Sequence, residues 1–97
     1  MHRLLIPLLL AGGPLLAACE PSCERVCKKI VACESIDTPR QAVLDCQDSC
    51  ELQQQLYEDW EDLQAREALA DLKECVMDEE CDAIADGVCY DADLFVW

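Results

Sequence analysis

The residues best able to do chemistry in this sequence are its cysteines, nine in a chain of 97 residues. Four of them form two matched C-x-x-x-C pairs, Cys23 with Cys27 and Cys46 with Cys50. Two cysteines four positions apart lie on one face of a helix, so each pair can present its sulfurs to a neighbouring helix. Facing pairs of this kind can bind zinc or form disulfides. Because cysteine is so abundant in a short chain, we expect disulfides made in an oxidising compartment.

The positions of these pairs predict how two helices face each other. In an antiparallel helical hairpin, the position numbers of any two facing residues add up to the same total. Cys23 with Cys50 and Cys27 with Cys46 give equal totals, as this rule requires. The shared sum places the turn at positions 36–37, in a stretch with the composition of a loop. We therefore predict a helical hairpin closed by Cys23–Cys50 and Cys27–Cys46.

Capping signals delimit the two helices of this hairpin, and further hydrophobic periodicity extends it to an all-α domain of three helices. The first helix is expected over residues 23 to about 33, with Ser22 as its N-cap. The second is expected to begin at Pro39, after the N-cap Thr38, with Gln41 completing a capping box.

The third helix has no Gly or Pro to mark where it begins. The apolar phase of the second helix lapses near Gln53, so a bend is expected between Gln53 and Asp59. Asp59 would then cap a third helix over residues 60 to about 77. One long kinked helix is the alternative.

The remaining cysteines can be paired only through this topology. An antiparallel third helix would bring Cys75 close to Cys33, and Cys81 would close a short C-terminal loop with Cys89. The expected bridges are Cys33–Cys75 and Cys81–Cys89, among the many pairings that eight cysteines permit.

The N-terminus has the pattern of a secretory signal. His2 and Arg3 give a positive start, and an apolar run over residues 4–16 follows. The run is too short and too interrupted for a transmembrane span. It ends in Leu16-Ala17-Ala18-Cys19, which resembles the lipobox of bacterial lipoproteins.

The lipobox resemblance implies cleavage before Cys19 and attachment of fatty acids, palmitate among them, to its sulfur and its new amino group. Residues 1–18 would be the signal peptide, 19–22 a lipidated tether and 23–97 the cysteine-rich domain. The alternative is an ordinary cleaved signal with Cys19 in a disulfide. Setting Cys19 aside leaves eight of nine cysteines, an even number, which favours the lipid. Two or three acyl chains would anchor the protein stably.

The mature part also resembles the small cysteine-rich helical lipoproteins of myxobacteria and related bacteria, whose helices carry C-x-x-x-C pairs and which end in a cysteine-closed loop. That resemblance implies the bacterial cell envelope and no particular role. In lipoproteins the residue after the lipidated cysteine affects sorting, and aspartate there is the usual signal for retention in the inner membrane. Glu20 is similar to that signal without matching it, so the outer membrane is slightly favoured.

Charge and residue types exclude several classes of function. Acidic residues outnumber basic ones by 21 to 7. The resulting negative electrostatic field repels phosphate backbones and so disfavours nucleic-acid binding. His2 is the only histidine, it lies in the predicted signal, and no C-x-x-C motif occurs. The mature sequence therefore offers neither a His-activated nucleophile nor a thiol-redox motif. We expect that the protein is not an enzyme and binds no cofactor.

The acidic C-terminal half leaves one alternative function. Asp82, Asp86 and Asp93 have the spacing of the first, fifth and twelfth positions of an EF-hand loop, although other positions depart from the motif. The alternative is therefore a calcium-responsive binding protein.

The chain ends in an apolar run, Leu94, Phe95, Val96 and Trp97. We expect this tail to fold back on the third helix and cover Trp60 or Leu63. The alternative is an exposed ligand for an unknown envelope protein.

Together these observations predict a non-enzymatic, lipid-anchored, disulfide-rich protein of the bacterial envelope. Its expected role is that of a structural or protein-interaction module.

Overall fold

Four helices follow one another in the computed structural model, which describes residues 20–35 and 37–97. They are α1 (Cys23–Glu34), α2 (Pro39–Asp59), α3 (Leu63–Asp78) and the short α4 (Cys81–Ala85). Helix α1 packs against the other three, and α2 also packs against α3. The predicted signal peptide and the predicted lipidation site, Cys19, lie outside the described residues.

Helices α1 and α2 form the predicted hairpin. Ser22 is the N-cap of α1, and its hydroxyl accepts a hydrogen bond from the backbone N–H of Arg25 at 3.2 Å. Its ψ of 157° is the extended geometry that a capping side chain needs. Thr38 precedes α2 with a ψ of 70° and makes no capping hydrogen bond.

The predicted capping box at the start of α2 is therefore wrong. The amide of Gln41 donates forward to Asp45 at 2.8 Å instead of reaching back to Thr38. The start of α2 at Pro39 is as predicted, because proline fixes the helical φ without requiring a capping partner for its own nitrogen.

Helix α2 continues without interruption through Gln53 to Asp59, so the boundary predicted within this segment is wrong, and the alternative of one long kinked helix is also wrong. The inward-facing side of α2 includes its two cysteines and then Gln54 and Tyr57. The apolar pattern lapses near Gln53 because polar side chains, which form hydrogen bonds inside the domain, continue this side of the helix. The break comes after Asp59, where Glu61 adopts a left-handed φ of 55°. Asp62, and not Asp59, caps α3 by accepting from the backbone N–H of Ala65 at 3.0 Å.

The core lies where α1, α2, α3 and the C-terminal tail meet. Its most completely buried side chains come from all four of these segments: Val26, Cys27, Ile30, Cys50, Leu69, Val76 and Phe95. A core this small needs covalent support, because a short domain buries little apolar surface.

The structure has both bridges predicted for the hairpin. Cys23–Cys50 and Cys27–Cys46 join α1 to α2 at two successive levels, with Cα–Cα distances of 5.8 and 5.7 Å. The sulfurs of both rungs belong to the buried core.

The other two predicted bridges, Cys33–Cys75 and Cys81–Cys89, are wrong, and the structure has Cys33–Cys81 and Cys75–Cys89. The reason is how far α3 extends along α1. The ammonium group of Lys29 donates to the carbonyl oxygens of Met77 and Glu79, so α3 ends at the level of Lys29.

Cys33 lies one helical turn beyond Lys29, and therefore beyond the end of α3. Its neighbour at that level is Cys81, the first residue of α4. Cys75 lies further back on α3 and is reached by the chain returning from α4, which brings Cys89 to it.

Candidate functional site

A cluster of charged and polar side chains joins the start of the described chain to α2 and α3. We call it the Glu20 cluster; its members are Glu20, Gln54, Glu58, Arg66 and Lys73. Lys73 is only 2% exposed, and its Nζ lies 2.7 Å from Glu20 Oε2 and 2.9 Å from Gln54 Oε1. Arg66 reaches both Glu20 oxygens, at 3.0 and 3.1 Å, and Glu58 Oε2 at 2.9 Å.

Burial explains why Lys73 needs these partners. It lies on α3 between the buried residues Leu72 and Val76, so its ammonium group is largely removed from water. An isolated buried charge is strongly unfavourable, whereas one with an ionic partner and a further hydrogen bond is tolerated. Glu20 supplies the opposite charge, and Gln54 the second acceptor.

The carboxyl group of Glu20 responds to the same contacts. Partial burial acts to raise its pKa, but hydrogen bonds from Lys73 and Arg66 outweigh burial and hold the pKa below its ordinary value. Burial acts to lower the pKa of Arg66, and its hydrogen bonds to Glu20 and Glu58 raise it instead. These contacts therefore stabilise the charged forms of Glu20 and Arg66 together.

The sequence patterns do not predict this cluster. They concern Glu20 only as the residue after the predicted lipidation site, and they predict a tether over residues 19–22. From Glu20 onward this segment instead lies on the domain: Pro21 is buried and Ser22 caps α1. A signal was present at Lys73, a lone cation within the apolar periodicity of Leu69, Leu72 and Val76.

The C-terminal tail folds back, but not over Trp60 or Leu63, which are 70% and 73% exposed. The hydroxyl of Tyr57 on α2 donates to the carbonyl oxygens of Leu94, at 2.6 Å, and Asp93, at 3.2 Å. The prediction was wrong in its target because Tyr57 faces inward and offers a hydrogen-bond donor to the tail backbone.

The aromatic side chains of the tail pack together. Phe95 is 1% exposed, and its ring centroid lies 5.2 Å from that of Trp97. Trp97 also meets Tyr90 edge to face at 4.8 Å. Phe95 is thus a core residue, while Val96 and part of Trp97 remain at the surface.

Trp97 forms one wall of a shallow, mainly apolar groove of about 330 Å³, which we call the Trp97 groove. Its lining comes from α1, α2 and the tail: Ile30, Val31, Glu34, Ala42, Asp45, Cys46, Val96 and Trp97. A second depression of about 310 Å³ is also lined by Trp97 and extends to Ile84, Gly87 and Tyr90.

The Trp97 groove and the Glu20 cluster lie toward opposite ends of α1. At the N-terminal end of this helix, Cys23 Sγ lies 3.9 Å from Gln54 Oε1 of the cluster. The groove begins at Ile30 and reaches Glu34, the last residue of α1. At 1.5 Å per residue, the two are separated by roughly 10–16 Å along the helix.

The residues proposed for calcium do not come together. Asp82 is in the first turn of α4, and its carbonyl oxygen accepts from the backbone N–H of Asp86. Asp93 is in the tail, where its own N–H donates to the Asp91 carboxylate. Among residues 20–35 and 37–97, no group of three or more His, Cys, Asp or Glu side chains is arranged to hold a metal ion.

The described part of the chain contains no helix long and apolar enough to cross a membrane. No protein-family model matches the sequence, and neither curated proteins nor solved structures give a significant match.

Proposed function

We propose that this protein is a lipid-anchored, disulfide-rich module of the bacterial envelope, with a structural or protein-interaction role and no catalytic activity. Lipid on Cys19 would hold it in the membrane, with the outer membrane slightly favoured. The molecular partner is an envelope protein, and nucleic acid is not among its ligands.

The observation that carries this proposal is the use of the cysteines. The four disulfides of the described domain employ eight of the nine cysteines, all except Cys19. Cys19 is also the residue at the end of the lipobox-like motif. A disulfide role for Cys19 would have to displace one of these bridges, whereas lipidation leaves all of them intact.

The Glu20 cluster supports the anchor in a second way. The residue that follows Cys19 is bound through its side chain to α3, so the folded domain begins immediately after the predicted lipid attachment site. An anchor at Cys19 would therefore hold the domain directly at the membrane surface, without a long tether.

A role in binding, as opposed to catalysis, is supported by where the perturbed groups lie. Clearly shifted pKa values within the described residues belong to Glu20, Tyr57 and Arg66, and each of these is engaged in a structural contact. Acid–base catalysts commonly lie in a cleft. The Trp97 groove contains none of the three, and its apolar lining suits a protein segment better than a reaction.

Replacing Cys19 tests the anchor. The variant Cys19→Ser should give a chain that takes up no labelled fatty acid and is found soluble or unprocessed, whereas Glu20→Gln, one residue away, should still be labelled. Density separation of inner and outer membranes then tests the location. Unchanged labelling and membrane retention of Cys19→Ser would refute the lipoprotein proposal.

A matched pair of surface variants tests the interaction role. Val96 borders the Trp97 groove and Leu52 lies on α2 outside it, and both side chains are 55% exposed. Chemical cross-linking in intact cells should give an adduct that Val96→Asp removes and Leu52→Asp retains. An adduct that survives Val96→Asp would exclude the groove as the contact surface.

A further inference from the structure

The turn between α2 and α3 presents two large apolar side chains to solvent. Trp60 is 70% exposed and Leu63 is 73% exposed, the highest values among the large apolar residues of the described chain. Trp60 is the C-cap of α2 and Leu63 is the first residue of α3, so both lie at the turn that joins these two helices. We call these two residues the tip.

The Glu20 cluster is directly adjacent to the tip. Glu58 lies two residues before Trp60, and its Oε2 is 2.9 Å from Arg66 Nε. Arg66 also forms an ion pair with Glu20, with 3.0 Å between Nη1 and Oε2. Leu63 lies three residues before Arg66 on α3, and residues at this spacing are neighbours on a helix surface, with Cβ atoms about 5–6 Å apart. The start of the described chain is therefore fixed beside the tip by two ion pairs.

We propose that the tip inserts into the headgroup region of the same lipid bilayer that holds the Cys19 anchor. This inference rests on the proposed function, because it requires lipid at Cys19. The Cα atom of Cys19 can be no more than about 3.8 Å from that of Glu20. The acyl chains would therefore enter the bilayer close to Arg66, and the adjacent tip would face the membrane surface.

The chemistry of the tip suits this position. The indole of tryptophan has an apolar body and a polar N–H, and it is favoured where a membrane meets water. Leu63 adds apolar surface that gains by leaving water. Insertion of this kind adds to the membrane affinity that the acyl chains provide, and it also fixes the orientation of the domain relative to the membrane.

Charges around the tip determine which lipids it accepts. Glu58 is paired with Arg66, and Asp62 accepts a backbone hydrogen bond at the start of α3. Asp59 and Glu61 remain exposed on either side of Trp60. The tip therefore fits an uncharged, zwitterionic lipid surface and is repelled by an anionic one.

Orientation by the tip has a consequence for the Trp97 groove. The groove lies toward the other end of α1 from the Glu20 cluster. With the tip in the headgroups, the groove faces away from the membrane and is open to a protein partner.

Tryptophan fluorescence of the mature, lipid-bearing protein tests the proposal. The protein is reconstituted in phosphatidylcholine vesicles, of which a fraction of the lipid carries a nitroxide quencher near the glycerol. Because the chain has two tryptophans, the wild type is compared with Trp60→Phe, which leaves only Trp97. Trp60 is exposed, so this change removes no core contact.

We expect quenching in the wild type and a several-fold loss of it in Trp60→Phe and, with Trp60 retained, in Leu63→Asp. Adding anionic lipid at low salt should weaken the quenching, and added salt should restore it.

Equal quenching in wild type and Trp60→Phe would overturn the proposal. Retention of the protein on the vesicles without any quenching would overturn it as well. Cross-links between copies through the tip, without quenching, would show a second copy as the occupant instead and overturn it too. Failure of the protein to enter vesicles because it bears no lipid would refute the proposed function, a result distinguishable from retention with an unquenched tip.

Discussion

Glu20 and Lys73 are 53 positions apart in the chain, yet a carboxylate oxygen of one lies 2.7 Å from the ammonium nitrogen of the other. Lys73 is buried on the third helix, while Glu20 belongs to the segment that enters the domain. The pair thus fixes the entry of the chain to the third helix. Because Arg66 shares the same carboxylate, Glu20 is held from two sides.

The first prediction is that Glu20→Gln lowers the free energy of unfolding by about 2 kcal/mol at neutral pH, because it leaves Lys73 buried without its ionic partner. The pKa of Glu20 is lowered in the folded state, so its contribution is complete above the unfolded-state pKa, about 4.3. It is lost as the pH falls through the lower folded-state value. Urea unfolding of the disulfide-intact protein at pH 7, 4 and 2 should show the difference between variant and wild type shrinking toward zero in acid.

Glu24→Gln is the matched control for this measurement. Glu24 forms an exposed ion pair with Lys28 on the same helix, at 3.0 Å, and such pairs contribute about 0.5 kcal/mol or less. Equal stability of Glu20→Gln and Glu24→Gln at pH 7 would show that Lys73 does not depend on Glu20.

The second prediction is that the purified protein contains the bridges Cys33–Cys81 and Cys75–Cys89. The acidic run at positions 78–80 lies between Cys75 and Cys81, so cleavage after Glu79 or Glu80 without reduction separates the two cysteines. Mass spectrometry should then find the peptide of Cys81 joined to that of Cys33. Recovery of Cys33 joined to Cys75 would contradict this topology.

The hairpin could be predicted from the sequence because its information is local. The equal sums of the cysteine positions and the Pro39 start signal each depend on spacing within one pair of adjacent helices. Ser22 likewise capped α1 as expected, since its contact is to a backbone group three residues away.

The two later bridges could not be predicted, because they depend on how far α3 extends along α1. That level is marked by Lys29, whose ammonium group binds the end of α3, a contact that no spacing along the chain indicates. The Glu20 cluster was missed for a similar reason. Its members come from three separate segments, and Lys73 and Arg66 bring them together only once the start of the chain packs against α2 and α3.

The third prediction compares two adjacent lysines. Lys29→Met should lower the free energy of unfolding by about 1.5 kcal/mol, because the carbonyl oxygens at the end of α3 lose a charged donor that also suits the helix dipole. Lys28→Met should change it by about 0.5 kcal/mol or less, since the partner of Lys28 is the exposed Glu24. Chemical denaturation followed by circular dichroism gives both values, and equal losses would argue against the role of Lys29.

The fourth prediction concerns the attachment of the tail to α2. Tyr57→Phe should cost about 1 kcal/mol of stability, because the carbonyl oxygens of Leu94 and Asp93 lose their donor. Burial raises the pKa of Tyr57, with Asp62, Asp91 and Asp93 adding to the rise. The contribution of the hydroxyl is therefore complete below about pH 10 and is lost as the pH rises through the higher folded-state value.

Urea unfolding at pH 7 and at pH above 10 should show the difference between wild type and Tyr57→Phe becoming smaller in alkali. Tyr90→Phe is the control: Tyr90 is 40% exposed and contacts Trp97 through its ring, which the change preserves. A loss in Tyr90→Phe as large as that in Tyr57→Phe would mean that the tail is not held mainly by the Tyr57 hydroxyl.

The last prediction concerns the turn that carries Trp60. Glu61 has a left-handed φ of 55°, which disfavours any residue with a Cβ atom, so Glu61→Gly should raise the free energy of unfolding by about 0.5–1 kcal/mol. Glu79→Gly is the control, because Glu79 is extended with a φ of −86° and there glycine brings only its extra entropy in the unfolded chain. Thermal melts of both variants should therefore shift in opposite directions.

Glu61→Gly also removes one of the two acidic charges beside Trp60. On vesicles containing anionic lipid, the fluorescence of this variant should therefore be quenched more than that of the wild type. Stabilisation without that gain in quenching would show that Glu61 affects the turn and not its approach to lipid, whereas destabilisation comparable to that of Glu79→Gly would contradict the left-handed turn.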